Sequence, residues 1–132
     1  MDKKYLAKII ATDHEGLNLI SAYCSGAKVK IGNIKHLSSN KVFLLSIERK
    51  KVELDKDKIR INSICKFDFV DKVKSKNINQ KNNELVMELI AIDCLKNKDD
   101  FEINLIFDNN AHIILTAETI EVRLEDQNEI KD

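Results

Sequence analysis

At 132 residues with 43% of them hydrophobic, the chain can build one cored domain but not two ordinary ones, which excludes disordered and fibrous classes. No apolar run approaches the ~20 residues a bilayer span needs, so no membrane partner is expected. Formal net charge is zero, yet residues 28–81 carry nine more basic than acidic side chains and residues 82–132 nine more acidic than basic. A basic middle and an acidic end suit either two charged faces or two halves that neutralise each other across strands.

In chain order, Tyr5 to Ala11 is mostly apolar and predicts a strand covered on both faces. A helix follows over about 13–25. Asp13 is placed to cap it by accepting from the backbone of Glu15 or Gly16, and Leu17, Ile20, Ser21 and Cys24 recur at helical spacing. Gly26 supplies the left-handed stop. From Ala27 the period falls to two: Val29 and Ile31 alternate with Lys28 and Lys30, Gly32 marks a bulge or bend, and Ile34 and Leu37 resume a strand. Ser38-Ser39-Asn40 is turn chemistry, and Val42 to Ile47 a further strand. Glu48 to Lys58 reads as a solvated loop pinned by Val52 and Leu54.

Ile59, Ile61, Cys65, Phe67 and Phe69 predict one face of a long strand that continues to Val73. Asn77 to Asn83 is a turn or loose loop, Leu85 to Ile92 a central strand apolar on both faces, and Lys96 to Asp100 a polar turn. Phe101 to Phe107 alternates cleanly, and Asp108-Asn109-Asn110 closes a hairpin into Ala111 to Ala117. A shifted register around Thr119 leads into Ile120, Val122 and Leu124, where residues 117–126 suit a strand or a short helix. Gln127 to Asp132 is expected to fray. The sum is a single α+β domain over 1–132. It consists of a strongly twisted antiparallel sheet or partly closed barrel of about seven strands, with one N-terminal helix.

Motifs that carry chemistry are missing. There is no nucleophile elbow, zinc-helix pair, phosphate loop or C-x-x-C, and three glycines are too few to cradle a phosphate with backbone. The three scattered cysteines (Cys24, Cys65, Cys94) fall in apolar segments and read as buried, inert thiols. With no export signal at the start, they point to a reduced cytoplasmic setting. No cofactor or metal is expected. Three polar residues stand out as candidates: Asp68 between Phe67 and Phe69, read as a salt-bridged surface carboxylate; His112 beside the Asn109-Asn110 turn; and Asp13 at the helix cap.

Lys72, Lys74 and Lys76 form the best binding candidate, projecting from one strand face at about 6.7 Å intervals. Arg49 and Lys50 would extend that basic face if their segment lies beside it. Aromatic interleaving is missing, which argues against a stacking platform for single-stranded nucleic acid.

The same blocks resemble a family of small bacterial proteins, chiefly alphaproteobacterial, catalogued as a domain of unknown function. Ile9-Ile10-Ala11-Thr12-Asp13-His14-Glu15-Gly16-Leu17 with Ile20-Ser21-Ala22 is similar to that family's first strand and helix start. Ala27 to Gly32, Phe67-Asp68-Phe69-Val70, Val73-Lys74-Ser75-Lys76, Leu89 to Ile92, Leu105-Ile106-Phe107 and Ile120 to Asp126 continue the match. Ser25-Gly26 departs from the family's Gln-Asp, Arg49 to Val52 lacks its aromatic residue, and the far hairpin turn is poorer in glycine. The resemblance implies a free-standing cytoplasmic protein with this element order, and it transfers no catalytic residue.

The sequence therefore points to a non-enzymatic binding domain that engages another protein through sheet edges and charged faces. Its rivals are an anion or nucleic-acid binder on the Lys72/Lys74/Lys76 face, and an enzyme whose dispersed residues (Asp68, His112, Asp13) converge only on folding.

Overall fold

The helix begins where the sequence supplies its cap. In the computed structural model, which describes residues 6–51 and 56–130, the Asp13 carboxylate accepts from the Gly16 N–H at 2.7 Å and helix α1 runs His14–Cys24. Leu17, Ile20 and Cys24 form its buried stripe. Gly26, at φ +85°, turns the chain out of the helix and donates its N–H to the Leu89 carbonyl at 2.7 Å. The expected helix and its two stops hold.

Beyond Gly26 every regular element but two single 3-10 turns, Ile31–Asn33 and Ser38–Asn40, is a strand. The strands are β1 (Lys8–Ala11), β2 (Ala27–Lys30), β3 (Ile34–Leu37), β4 (Val42–Lys51), β5 (Lys56–Phe67), β6 (Val70–Lys76), β7 (Val86–Lys96), β8 (Phe101–Phe107), β9 (His112–Ala117) and β10 (Val122–Ile130). They form one open sheet in the order β1-β10-β5-β4-β2-β7-β8-β9-β6, with β3 attached to β4. All the pairings are antiparallel. The sheet thus has ten strands among the described residues, rather than about seven, and does not close. Helix α1 packs against β7, β1 and β4 and adds Leu17, Ile20 and Cys24 to the apolar core. There Phe43 and Phe67 meet edge to face with centroids 6.1 Å apart, and Leu89, Leu105 and Phe107 are buried beside them.

Several expectations give way. Glu48 to Lys58 is not a solvated loop: β4 extends to Lys51 and β5 starts at Lys56, while Val52 and Leu54 lie outside the described residues, as does Tyr5. Among the described residues the first strand is an edge, pairing only with β10, and Ile10 is 54% exposed, so the strand is not covered on both faces. In β7, Met87, Leu89 and Ile92 point inward but Val86 and Ile90 are half exposed, so that strand is covered on one face. Residues 118–121 turn without helix into β10, and Gln127 to Ile130 form its last part, with Asn128, Glu129 and Ile130 paired to Asn62, Ile61 and Arg60.

The predicted strand from Ile59 through Phe69 to Val73 breaks at Asp68-Phe69. Phe69 sits at φ +59° and is 41% exposed, and this one left-handed residue reverses the alternation, so that Val70 is the side chain buried. The corner is held from both sides: Asp68 N–H donates to the Glu121 carbonyl at 2.9 Å, and Glu118 N–H donates to the Phe69 carbonyl at 3.0 Å. It is this corner that swings β6 away from β5 and leaves it as the far edge of the sheet.

Candidate functional site

Two strands in this sheet keep one backbone edge without a neighbouring strand while facing a common groove. Among the described residues β3 pairs only with β4, and β6 only with β9. Between them lies a groove of about 450 Å³, within the size range of ligand sites. Alternation puts Ile34 and His36 of β3 on one wall and Val73 and Ser75 of β6 on the other. Phe43 and Ile113, both nearly fully buried, make the apolar floor.

Both ends of the groove are tied. At one end the Val70 N–H donates to the Lys41 carbonyl at 2.8 Å, and the Lys41 ammonium reaches Glu118 at 2.5 Å and Asp71 at 3.1 Å. Hydrogen bonds from Lys41 to Glu118 and then Asp71 raise its pKa above the ordinary lysine value. Lys41 itself takes the left-handed conformation, φ +57°. At the other end Gly32 N–H donates to the Asn83 carbonyl at 3.0 Å, and Ile31 N–H donates to Leu85 at 2.9 Å. A side chain at position 32 would start 3.0 Å from that Asn83 oxygen, tighter than an ordinary contact, so the close approach favours glycine. β3 leaves the Gly32 end toward Lys41, while β6 starts at Lys41 and runs back. The two edges are therefore antiparallel and frame a slot. Gln80, from the segment joining β6 to β7, donates to the Ser75 hydroxyl and braces that wall.

The unpaired charge on the elements around the slot has one sign. Lys35 on β3, Lys72, Lys74 and Lys76 on β6, and Lys81 in the adjoining segment are exposed, and none makes an ion pair among the described residues. The two carboxylates on these elements are both taken, Asp71 by Lys41 and Glu84 by Lys30. By contrast, a second cleft of about 490 Å³, lined by Lys28 and Lys30 of β2, Glu48 of β4 and Asn62 of β5, has charges that are partly paired. There Lys30 pairs with Glu84 at 3.4 Å, and Arg60 with Glu48 at 3.7 Å.

The residues singled out from sequence do not come together. Lys72, Lys74 and Lys76 do share the outer face of β6, opposite Thr116, Ile114 and His112. Lys50 is exposed on β4, nine residues beyond Lys41 and so about 30 Å along the strand from the point where β4 meets β6. Arg49 is fully buried and leaves the basic face altogether. Asp68 pairs with Lys66 at 3.7 Å, as a surface carboxylate should. His112 lies on β9 between Lys76 and Ile106, and Asp13 is occupied as the helix cap. Asp68, His112 and Asp13 therefore occupy three separate places, and no three His, Cys, Asp or Glu side chains gather as a metal site among the described residues. Cys24 and Cys65 are buried together; a hydrogen bond with Cys24, then burial, pushes the Cys65 thiol well up, which keeps it protonated.

Sequence reasoning missed the cluster formed by the buried polar residues Arg49, Ser63 and Asp126. Arg49 donates to both oxygens of Asp126, from Nε at 2.8 Å and Nη2 at 2.6 Å, and its guanidinium lies 5.3 Å from the Tyr23 ring centroid. Ser63 Oγ and the Ala7 N–H complete the carboxylate's partners at 2.6 and 2.7 Å. Burial pushes the Asp126 carboxyl up, but the hydrogen bonds from Arg49, Ser63 and Ala7 and the Arg49 charge outweigh it and hold the group below its ordinary value. This cluster joins β10, β5 and β4 and the residue ahead of β1, and its Arg49, Ser63 and Asp126 side chains are buried, which makes it a structural clamp.

A family model described as "Protein of unknown function (DUF2948)" matches residues 7–131 of the chain. A comparison with curated proteins finds no match. No helix among the described residues is long and apolar enough to cross a membrane.

Proposed function

We propose that this chain, which belongs to the family described as "Protein of unknown function (DUF2948)", is a binding domain that takes an extended segment of another protein into the slot between β3 and β6. The observation that carries the reading is the pair of antiparallel strand edges flanking one apolar-floored groove. A strand laid there has backbone groups on both sides to bond and an apolar floor for alternate side chains, the recognition mode of strand addition. The tied ends support it further, because they hold the two edges apart without needing an occupant. The slot carries one imidazole and one hydroxyl, His36 and Ser75, from different strands and no carboxylate, which supports binding over hydrolytic chemistry.

The test is to select displayed random peptides on the immobilised protein and titrate the enriched sequences in solution against the native chain and Val73→Glu. Val73 is half buried on an edge strand, so circular dichroism checks that the variant keeps its fold. Binding that shifts the NMR signals of Ile34, His36, Val73 and Ser75, and that weakens at least about tenfold in the variant, supports the reading. Enrichment of nothing above background, or binding indifferent to Val73→Glu, overturns it.

A further inference from the structure

Resting on the strand-addition reading, we infer that the segment the slot takes is acidic, with Asp or Glu at every second position and apolar residues between. The inference comes from register. Side chains of β6 alternate, with Val73 and Ser75 facing the slot and Lys72, Lys74 and Lys76 standing on the outer face. A strand added to that edge follows the same pleat, so its residues alternate between the apolar floor of Phe43 and Ile113 and the outer face beside the lysines. Each outward residue then lies across from or diagonal to one of three ammonium groups that have no carboxylate of their own among the described residues.

The same row rejects a second copy of the chain. Two β6 edges placed together would set lysine against lysine, the device by which edge strands avoid self-pairing. Acidic segments are thus selected by attraction and self-association opposed by repulsion, which is specificity built from both signs. Nucleic acid fits less well. The row is a single line of charge, and of the two rings at the slot Phe43 is buried in the floor, leaving the small imidazole of His36 as the one exposed ring.

The experiment uses fluorescein-labelled peptides in which Glu and Val alternate, flanked by Gly and Ser for solubility, beside the matching peptides with every Glu replaced by Gln. Anisotropy titrations are run at low and high salt. The Glu peptide should bind about tenfold more tightly than the Gln peptide at low salt. The difference should shrink several-fold at high salt and vanish in Lys72→Ala/Lys74→Ala/Lys76→Ala.

If both peptides bind equally and Val73→Glu abolishes both, the slot stands and the acidic preference is wrong. If neither binds, the slot reading falls and takes this inference with it. Displacement of the Glu peptide by an oligothymidylate, lost in the triple-lysine variant, would assign the row to nucleic acid and overturn the inference.

Discussion

Replacing Arg49 by Met tests whether the buried clamp works as described. The guanidinium is wholly buried, and so are the Asp126 carboxylate it grips and, nearly, the Ser63 hydroxyl beside it. Met keeps most of the volume but removes two of the four donors to Asp126, leaving a carboxylate held by Ser63 and Ala7 alone. Breaking one side of a buried ion pair costs about 3–5 kcal/mol, most of it the penalty of an uncompensated buried charge. With a urea slope of about 2 kcal/mol per molar, the unfolding midpoint should fall by roughly 2 M.

Asp126→Asn should also destabilise the fold, since it removes the charge to which Arg49 Nε and Nη2 donate. Arg49→Met/Asp126→Asn should cost less than the sum of the two by about 3 kcal/mol, because no charge is then buried. Urea denaturation of the four proteins, with unchanged slopes, closes the cycle. Costs that add within about 0.5 kcal/mol, or an Arg49→Met change below about 1 kcal/mol, would refute the clamp.

The same carboxylate sets a pH dependence. Its pKa in the folded protein is depressed below the unfolded value, so the stabilisation is complete above the ordinary carboxylate range and is lost as pH falls from about 4 through the folded pKa. Urea midpoints measured down to pH 3 should therefore fall more steeply for the native protein than for Asp126→Asn, and parallel curves would contradict this. Gly32→Val drives a side chain against the Asn83 carbonyl, 3.0 Å from where Cβ begins, and should cost about 1–3 kcal/mol in a thermal or urea melt while loosening that end of the slot. Asp13→Ala removes the cap bond to Gly16 and should cost about 1 kcal/mol by the same measurement, with Asp13→Asn restoring most of it.

Local chemistry was legible wherever one residue decided the outcome. Asp13 started the helix, Gly26 ended it, and Asp108-Asn109-Asn110 closed the β8–β9 hairpin because Asn109 and Asn110 accept the left-handed conformation, φ +57° and +59°. The alternation Phe101, Ile103, Leu105, Phe107 named β8 to the residue. Elsewhere the inside residue was itself charged. Ile47 and Arg49 point inward on β4 while Glu48 and Lys50 do not, so the pattern there reads as polar throughout and hides a strand. What makes Arg49 an interior residue is Asp126, 77 positions away, and no local periodicity reports such a pairing.

Phe69 misled for a related reason: its apolar side chain fits the alternation, while its backbone turns the corner. The slot was out of reach because it is made by the absence of pairing between β3 and β6. Its lysines were legible as a row, but the apolar groove beside them belongs to residues 31–36, 43, 73–83 and 113, which only the folded sheet assembles.

Backbone amide hydrogen exchange reads the slot directly, because a strand added between two edges must protect the amides that face it. On saturating the native protein with the Glu–Val peptide, exchange should slow at outward amides within Ile34–Leu37 and Val70–Lys76 together, with the other strands unchanged. Protection confined to the cleft lined by β2, β4 and β5, or at one edge without the other, would contradict the strand-addition site.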